Sequence, residues 1–294
     1  MEPLLFDPPA SRYLVPFDGS FDIGKADTDP PDDGPGKKDN QEALASAVAR
    51  IAKVQAKLYA DDRFSLLLIF QAMDAAGKDG TIRAVLSGVN PAGCEVTAFN
   101  APSAEELDHD YLWRHQRALP QRGRIGVWNR SHYEEVLVVR LNPKFLGAQR
   151  LPRRPAGEGL WVERLASMRD AEAHWARNGV AVLKFFLNVS KKEQKKRLLE
   201  RIDDPEVNWK FQAADIGLRN QWDDYMRCYQ EAMNATSRPW APWYAVPADS
   251  KSYMRRVVAE VVASSLERLD LRWPELSPEA RAEMMKLRAT LAAD

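Results

Sequence analysis

The reading of this chain turns on Ser65-Leu-Leu-Leu-Ile-Phe70 and the segment that follows it, Gln71-Ala-Met-Asp-Ala-Ala-Gly-Lys-Asp-Gly-Thr81. The first piece is short and apolar on both faces, the pattern of a strand buried in a parallel sheet. The second is a loop of small residues opening into a helix. Small residues let the backbone come close to a ligand. Backbone N–H groups at a helix start, helped by the helix dipole, favour an anion. Lys78 adds a flexible point charge. Together they predict a phosphate-binding loop built from Ala75, Ala76, Gly77, Lys78, Asp79, Gly80 and Thr81. It is not a plain Walker A motif: Ala72 stands at the first glycine position, and Asp79 follows Lys78 where Ser or Thr is usual. The competing reading is an ordinary βα turn with an exposed lysine.

Working outward, four further segments have the same buried-strand character: 95–99, 124–128, 180–187 and 243–246. Helical spacing recurs between them, from Asn40 onward and over 80–86, 104–119, 160–178, 190–202 and 251–269. Alternating strands and helices imply βαβ units, a mostly parallel five-stranded sheet and helices on both faces. The run 133–141 is read as helix, with Glu134 and Glu135 in its first turn. Ser277-Pro278-Glu279 marks a last helix start. Residues 1–40, rich in Pro, Gly and Asp over 27–39, read as an irregular arm, either disordered or wrapped on the domain. The division is then an arm (1–40), a phosphotransferase-like α/β domain (41–270) with a lid at about 190–215, and a helical tail (271–294).

Composition bounds the rest. The chain has 294 residues, 45% hydrophobic and 29% charged, with 42 basic and 42 acidic residues and zero net charge. It is long enough for one large α/β domain, and its charge balance argues against a nucleic-acid binder. No apolar run approaches the ~18 residues of a membrane span, and no signal-peptide pattern opens the chain. Two cysteines, Cys94 and Cys228, suit neither a disulfide framework nor a zinc site, and a cytoplasmic setting is expected.

Asp74, inside the loop, is odd for a pure anion cradle. It reads as a Mg²⁺ ligand or as a base for the acceptor phosphate; the alternative is a cap for the loop's own amides. At the end of another buried strand, Asn129 and Arg130 should lie beside the loop, because ligands of open α/β sheets bind beyond the strands' carboxyl ends. Kinases often place an Asp there to hold Mg²⁺; here the neutral Asn129 stands in, a weaker ligand. Arg130 can grip a phosphoryl oxygen bidentately. His132 reads as a packed residue and is left out of the chemistry. Residues 190–201 carry six basic and two acidic side chains, a local charge of +4. Ser190 with Glu193 reads as a capping box, and Arg197 and Arg201, one turn apart, suit a lid closing over phosphates. The stripe Trp222, Tyr225, Met226 and Tyr229 is read as core rather than a base pocket. Arg122, Arg124, Arg150, Arg153 and Arg154 are candidates for a track along a polyanion.

Five motifs together resemble the family-2 polyphosphate kinases: Met73-Asp-Ala-Ala-Gly-Lys-Asp-Gly-Thr81, Ser87-Gly-Val-Asn-Pro91, Ala101-Pro-Ser-Ala-Glu-Glu-Leu-Asp-His-Asp110, Asn129-Arg-Ser-His-Tyr-Glu-Glu-Val136 and Trp209-Lys-Phe211. The variants are most similar to the subgroup that phosphorylates both AMP and ADP. The resemblance implies a P-loop-kinase α/β/α sandwich with a helical lid. It implies phosphoryl transfer between inorganic polyphosphate and adenine nucleotides, with guanine as the alternative base, together with Mg²⁺ and self-association into a homo-oligomer. By residue, it implies that Asp74 holds metal and prepares the acceptor and that Lys78 binds polyphosphate. It gives Arg130 a catalytic role, and makes Arg201 the lid arginine with Arg197 as the alternative. Lys210 belongs to the lid motif, and Asn129 occupies the usual metal-binding Asp position. Two rivals remain at this point: an ATP-dependent nucleoside monophosphate kinase, and a non-catalytic nucleotide or polyphosphate binder.

Overall fold

The computed structural model describes residues 6–153, 157–211 and 213–293, with only the backbone described for Lys210 and for 213–215. In chain order, the first helix is α1 (Lys37–Asp61), followed by strand β1 (Ser65–Gln71), α2 (Lys78–Val85), β2 (Cys94–Ala98), α3 (Ala104–Asp108), α4 (Trp113–Arg117) and β3 (Ile125–Asn129). Next come α5 (Val138–Leu141), α6 (Pro143–Ala148), α7 (Gly159–Arg177), β4 (Val180–Asn188) and α8 (Lys191–Asp203). The chain ends with α9 (Ala213–Asn220), α10 (Trp222–Thr236), β5 (Trp243–Pro247), α11 (Lys251–Arg268) and α12 (Pro278–Leu291).

The five strands form one sheet in the order β2-β3-β1-β4-β5, and every pairing is parallel. β1 sits at the centre and is buried along its whole length. That is why it carries no polar residue between Ser65 and Gln71. Its side chains alternate between two cores: Leu66, Leu68 and Phe70 join the larger one, while Leu67 and Ile69 join a smaller one with Trp128 and Trp175. Helices α1, α2 and α11 pack together, as do α7 and α10, with α7 against β4. The connections from β1 and β4 run to opposite sides, which opens a crevice at the carboxyl ends of the strands. The register brings Phe70 opposite both Asn129 and Phe185, so the loops after β1 and β3 meet there.

The arm wraps the domain. Leu14 bridges Tyr244 in antiparallel fashion, the Val15 N–H donates to Trp243 O at 2.9 Å, and the Ala245 N–H donates to Tyr13 O at 2.9 Å. The outer edge of β5 is thereby covered. Two helical expectations change. The run 104–119 splits into α3 and α4, because His109 is extended and Asp110 Oδ1 accepts the Leu112 N–H at 2.9 Å in a local turn. The run 133–141 is a 3-10 turn over His132–Val136 and then α5, broken at Leu137 with φ −111° and ψ −86°. Trp222, Tyr225 and Tyr229 are buried, as the core reading expects. Among the described residues no helix is long and apolar enough to cross a membrane.

Candidate active site

The loop after β1 is held in an unusual backbone conformation. Gly77, the residue preceding α2, has φ 106°, and Ala75 has φ 61°. Glycine adopts this left-handed region freely; for alanine it costs on the order of 1 kcal/mol. Arg130, beyond β3, is also left-handed with φ 65°, and its N–H donates to Phe70 O at 3.1 Å. Strained residues from two strand ends thus converge on one spot. α2 starts without a side-chain cap, so its first N–H groups are not taken by a capping side chain. The Thr81 hydroxyl donates back to Gly77 O at 2.9 Å, which spends it on the loop rather than on a ligand.

The charged groups are arranged around this loop. Lys78 Nζ donates to Ala72 O at 3.0 Å. Burial pushes its ammonium below the ordinary lysine range, while the Asp74 carboxylate pulls the other way. Asp74 Oδ1 lies 3.3 Å from Arg130 Nη2. Asn129 Nδ2 donates to Asp79 Oδ1 at 2.7 Å, leaving its carbonyl oxygen as the only atom able to ligate a cation. Glu134 was not singled out for chemistry in the sequence. It stands against Arg130, Lys78 and Asp74, and burial raises its carboxyl above the usual range despite the two cations. Its address, four residues past Arg130 in a turn expected to be plain helix, concealed it. His132 is fully buried beside Trp128, Tyr133 and Trp175, and burial lowers its pKa. It stays out of the chemistry.

Asp74, Lys78, Asp79, Asn129 and Arg130 line a cleft of about 800 Å³. The walls bring in Phe99 and Asn100 on one side, and Arg201 and Trp209 from the lid. Arg197, one of the two lid candidates, lines the cleft but its side chain is 4% exposed, with its guanidinium given to backbone carbonyls and to the Glu193 carboxylate. Ser190 makes only half of the expected capping box. Its Oγ accepts the Glu193 N–H, but its own N–H goes to Asp249 Oδ1 at 2.7 Å, and the Glu193 carboxylate takes Arg197 Nε instead. The Lys210 side chain and Arg154 lie outside the described residues.

The arginine track expected at 122–153 does not reach the cleft. Arg124 pairs with Glu95, Arg150 with Asp108, and Arg153 with Glu163, while Arg122 donates to Arg63 O. The cationic wall comes from α11, which the sequence reading passed over. Lys251 and Arg255 line the cleft and form no ion pair among the described residues. Arg255 Nε is buried without a hydrogen-bond partner. Its Nη2 lies 2.9 Å from where a Cβ on Gly80 would stand, so Gly80 is needed for this approach. Burial and the neighbouring Arg83 and Arg197 lower the Arg255 pKa, and burial and Arg197 do the same to Lys251. Such a cluster of like charges invites a polyanion.

No group of three or more His, Cys, Asp or Glu side chains able to hold a metal occurs among the described residues. This donor set still fits Mg²⁺. That ion is usually bound by one or two carboxylates plus substrate phosphates and water rather than by a protein cage, and Asp74 supplies one carboxylate on the cleft.

Residues 35–273 match the family model described as polyphosphate kinase 2. The chain is 50% identical to the ADP-polyphosphate phosphotransferase of Rhodopseudomonas palustris, over 95% of this chain and 97% of that one. It is 42% identical to the AMP/ADP-polyphosphate phosphotransferase of Meiothermus ruber, over 92% and 97%. The crystal structure of polyphosphate kinase 2 from Arthrobacter aurescens TC1 superposes with a TM-score of 0.86 at 37% identity, covering 99% of each chain.

Proposed function

The chain belongs to the polyphosphate kinase 2 family and transfers phosphoryl groups between polyphosphate and AMP or ADP; we propose that it does so across the cleft above the 74–81 loop. The observation that carries this assignment is the asymmetry of the cleft. Lys251 and Arg255 of α11 bring cationic charge to the cleft, Arg255 against Gly80 at the start of α2, with Glu200 acting on Lys251, while β2, β3 and the loops that follow them bring the neutral Phe99, Asn100 and Asn129. A polyphosphate chain binds along the α11 residues. The acceptor nucleotide enters past the neutral ones, with its terminal phosphate at Asp74 and Arg130.

Transfer is in line. An oxygen of the acceptor's terminal phosphate forms a bond to the terminal phosphorus of the donor. The bond from that phosphorus to the bridging oxygen breaks, and the shortened polyphosphate leaves carrying that oxygen and its charge. Little covalent chemistry falls to the protein, which must position the groups and neutralise charge. Lys78 and the amides of Ala75, Gly77, Asp79 and Gly80 hold the donor end, while Ala76 and Thr81, whose N–H groups donate to Met73 O and Gly77 O, shape the loop. Arg130 from below and Arg201 from the lid offset the charge spreading over the migrating group. Lys210 of the lid motif belongs with the polyphosphate contacts. Mg²⁺, held by Asp74 with the Asn129 carbonyl beside it, supplies further charge neutralisation when bound. Asp74 and Glu134 orient Arg130 and Lys78.

The test mixes purified protein, long-chain polyphosphate and Mg²⁺ with AMP, and separately with ADP, and resolves the products by ion exchange. ADP and ATP should form only when polyphosphate is present. Transfer with ATP as donor and none with polyphosphate would make the protein a nucleoside monophosphate kinase.

A further inference from the structure

Arg197 lines the cleft yet its side chain is 4% exposed, and it is placed with unusual completeness. A guanidinium carries five N–H donors, and here each has a partner. Nη1 donates to Ala75 O at 3.3 Å and Ala76 O at 2.8 Å. Nη2 donates to Ala248 O at 2.7 Å and Asp249 O at 2.9 Å. Nε donates to Glu193 Oε1 at 2.9 Å. One side chain therefore ties the strained turn of the phosphate loop to the connection between β5 and α11. Gln194, on the same helix, adds a bond from Nε2 to Asp74 O at 3.1 Å.

The anchor is itself tied down by the N-terminal arm. The Asp249 N–H donates to Thr28 O at 2.9 Å, and its carboxylate accepts the Ser190 N–H at the start of α8. Asn188, buried at the end of β4, donates from Nδ2 to Ala26 O at 3.2 Å and Asp27 O at 3.0 Å. Its backbone carbonyl accepts the Ala248 N–H at 3.0 Å. An unbroken chain of hydrogen bonds thus runs from the arm through Asn188 and 248–249 to Arg197, and from there to Ala75 and Ala76.

We propose that Arg197 is a positioning residue that holds the phosphate loop in its strained, anion-accepting shape, and that the N-terminal arm fixes the anchor from which it works. The substrate readout of this proposal rests on polyphosphate being the donor. Lysine cannot replace the fork, because three donors on one point cannot span two backbone segments.

The test is a double-mutant cycle of Arg197→Lys and Asn188→Ala, with Asn188→Asp as the size-matched second variant should the alanine protein fail to fold. Arg197→Lys should raise the KM for polyphosphate about tenfold and Asn188→Ala about threefold, the range expected for losing hydrogen bonds to a charged group and to a neutral one. The KM for ADP should stay at the wild-type value. The double variant should be no worse than Arg197→Lys alone, since both act through one chain. Amide hydrogen exchange, which needs no substrate, should quicken over 74–78 in each variant and stay unchanged in β1. Additive effects on KM, or an Asn188 variant with wild-type KM and wild-type exchange, would overturn the proposal. A wild-type protein that does not use polyphosphate would defeat the donor reading while leaving the exchange result to judge the positioning claim.

Discussion

Two sets of basic side chains in this molecule look alike in sequence and behave differently in space. Arg122, Arg124, Arg150 and Arg153 crowd one stretch of chain and suggest a polyanion track. Three of them are paired with carboxylates and the fourth with a carbonyl. Lys251 and Arg255 are scattered along the polar face of a helix and suggest nothing. Yet they are packed against the start of α2, partly desolvated, with a buried Nε lacking a partner. What marks a polyanion site is cationic charge brought together on a cleft and left out of direct ion pairs, even with Glu200 and Asp204 on the same cleft. Density of basic residues along the chain is a poor guide to that, because exposed basic residues recruit local acids at little cost.

The largest effect should come from the loop that both walls serve. Lys78→Ala is expected to lower turnover about a thousandfold or more, the scale of losing a charge clamp on a transferring phosphoryl group. The chemical-denaturation midpoint should move little, because the side chain makes a single hydrogen bond to Ala72 O. Arg130→Ala follows, with turnover down about a hundredfold; a full-rate variant would remove it from the site. Smaller again is the donor wall. Lys251→Ala and Arg255→Ala should each raise the KM for polyphosphate about tenfold, with the KM for ADP unchanged.

A pH profile sharpens the contrast further. Lys78 titrates below its ordinary value of 10.5 because of burial. A lysine is cationic below its pKa, so a depressed value means that charge is lost earlier as pH rises. The alkaline fall of kcat/KM for polyphosphate, which reports the free enzyme, should therefore set in below the usual lysine range. Lys78→Arg should move that fall to higher pH, since a guanidinium stays charged.

The sheet was legible because its inner strands β1, β3 and β4, with β5, are largely buried on both faces and so read as mostly apolar runs; the edge strand β2, half-exposed and mixed in character, also lies where it was placed, on weaker grounds. The long helices were legible for the matching reason, one apolar face at helical spacing. The breaks were not. His109–Leu112 and Leu137 interrupt segments whose periodicity continues across them, and the Asp110 turn and the Leu137 dihedrals are tertiary choices. The loop was legible as chemistry, since small residues, a Lys and a buried strand before them have few other uses together. Arg197 was not legible as a buried strut. A basic helix looks solvated until the fold shows which of its residues turns inward, and apart from Glu193 the partners of Arg197 are backbone carbonyls that carry no sequence signal. Lys251 and Arg255 stayed hidden because they lie far along the chain from the loop they face.

The most direct test of the donor path compares two doubly substituted proteins in one assay. One carries Lys251→Ala and Arg255→Ala, the other Arg150→Ala and Arg153→Ala, and the KM for long-chain polyphosphate is measured for both at fixed Mg²⁺ and ADP. The account predicts a rise of about a hundredfold in the first, if the two sites add, and a wild-type value in the second. A wild-type KM in the first, or a rise confined to the second, would contradict it.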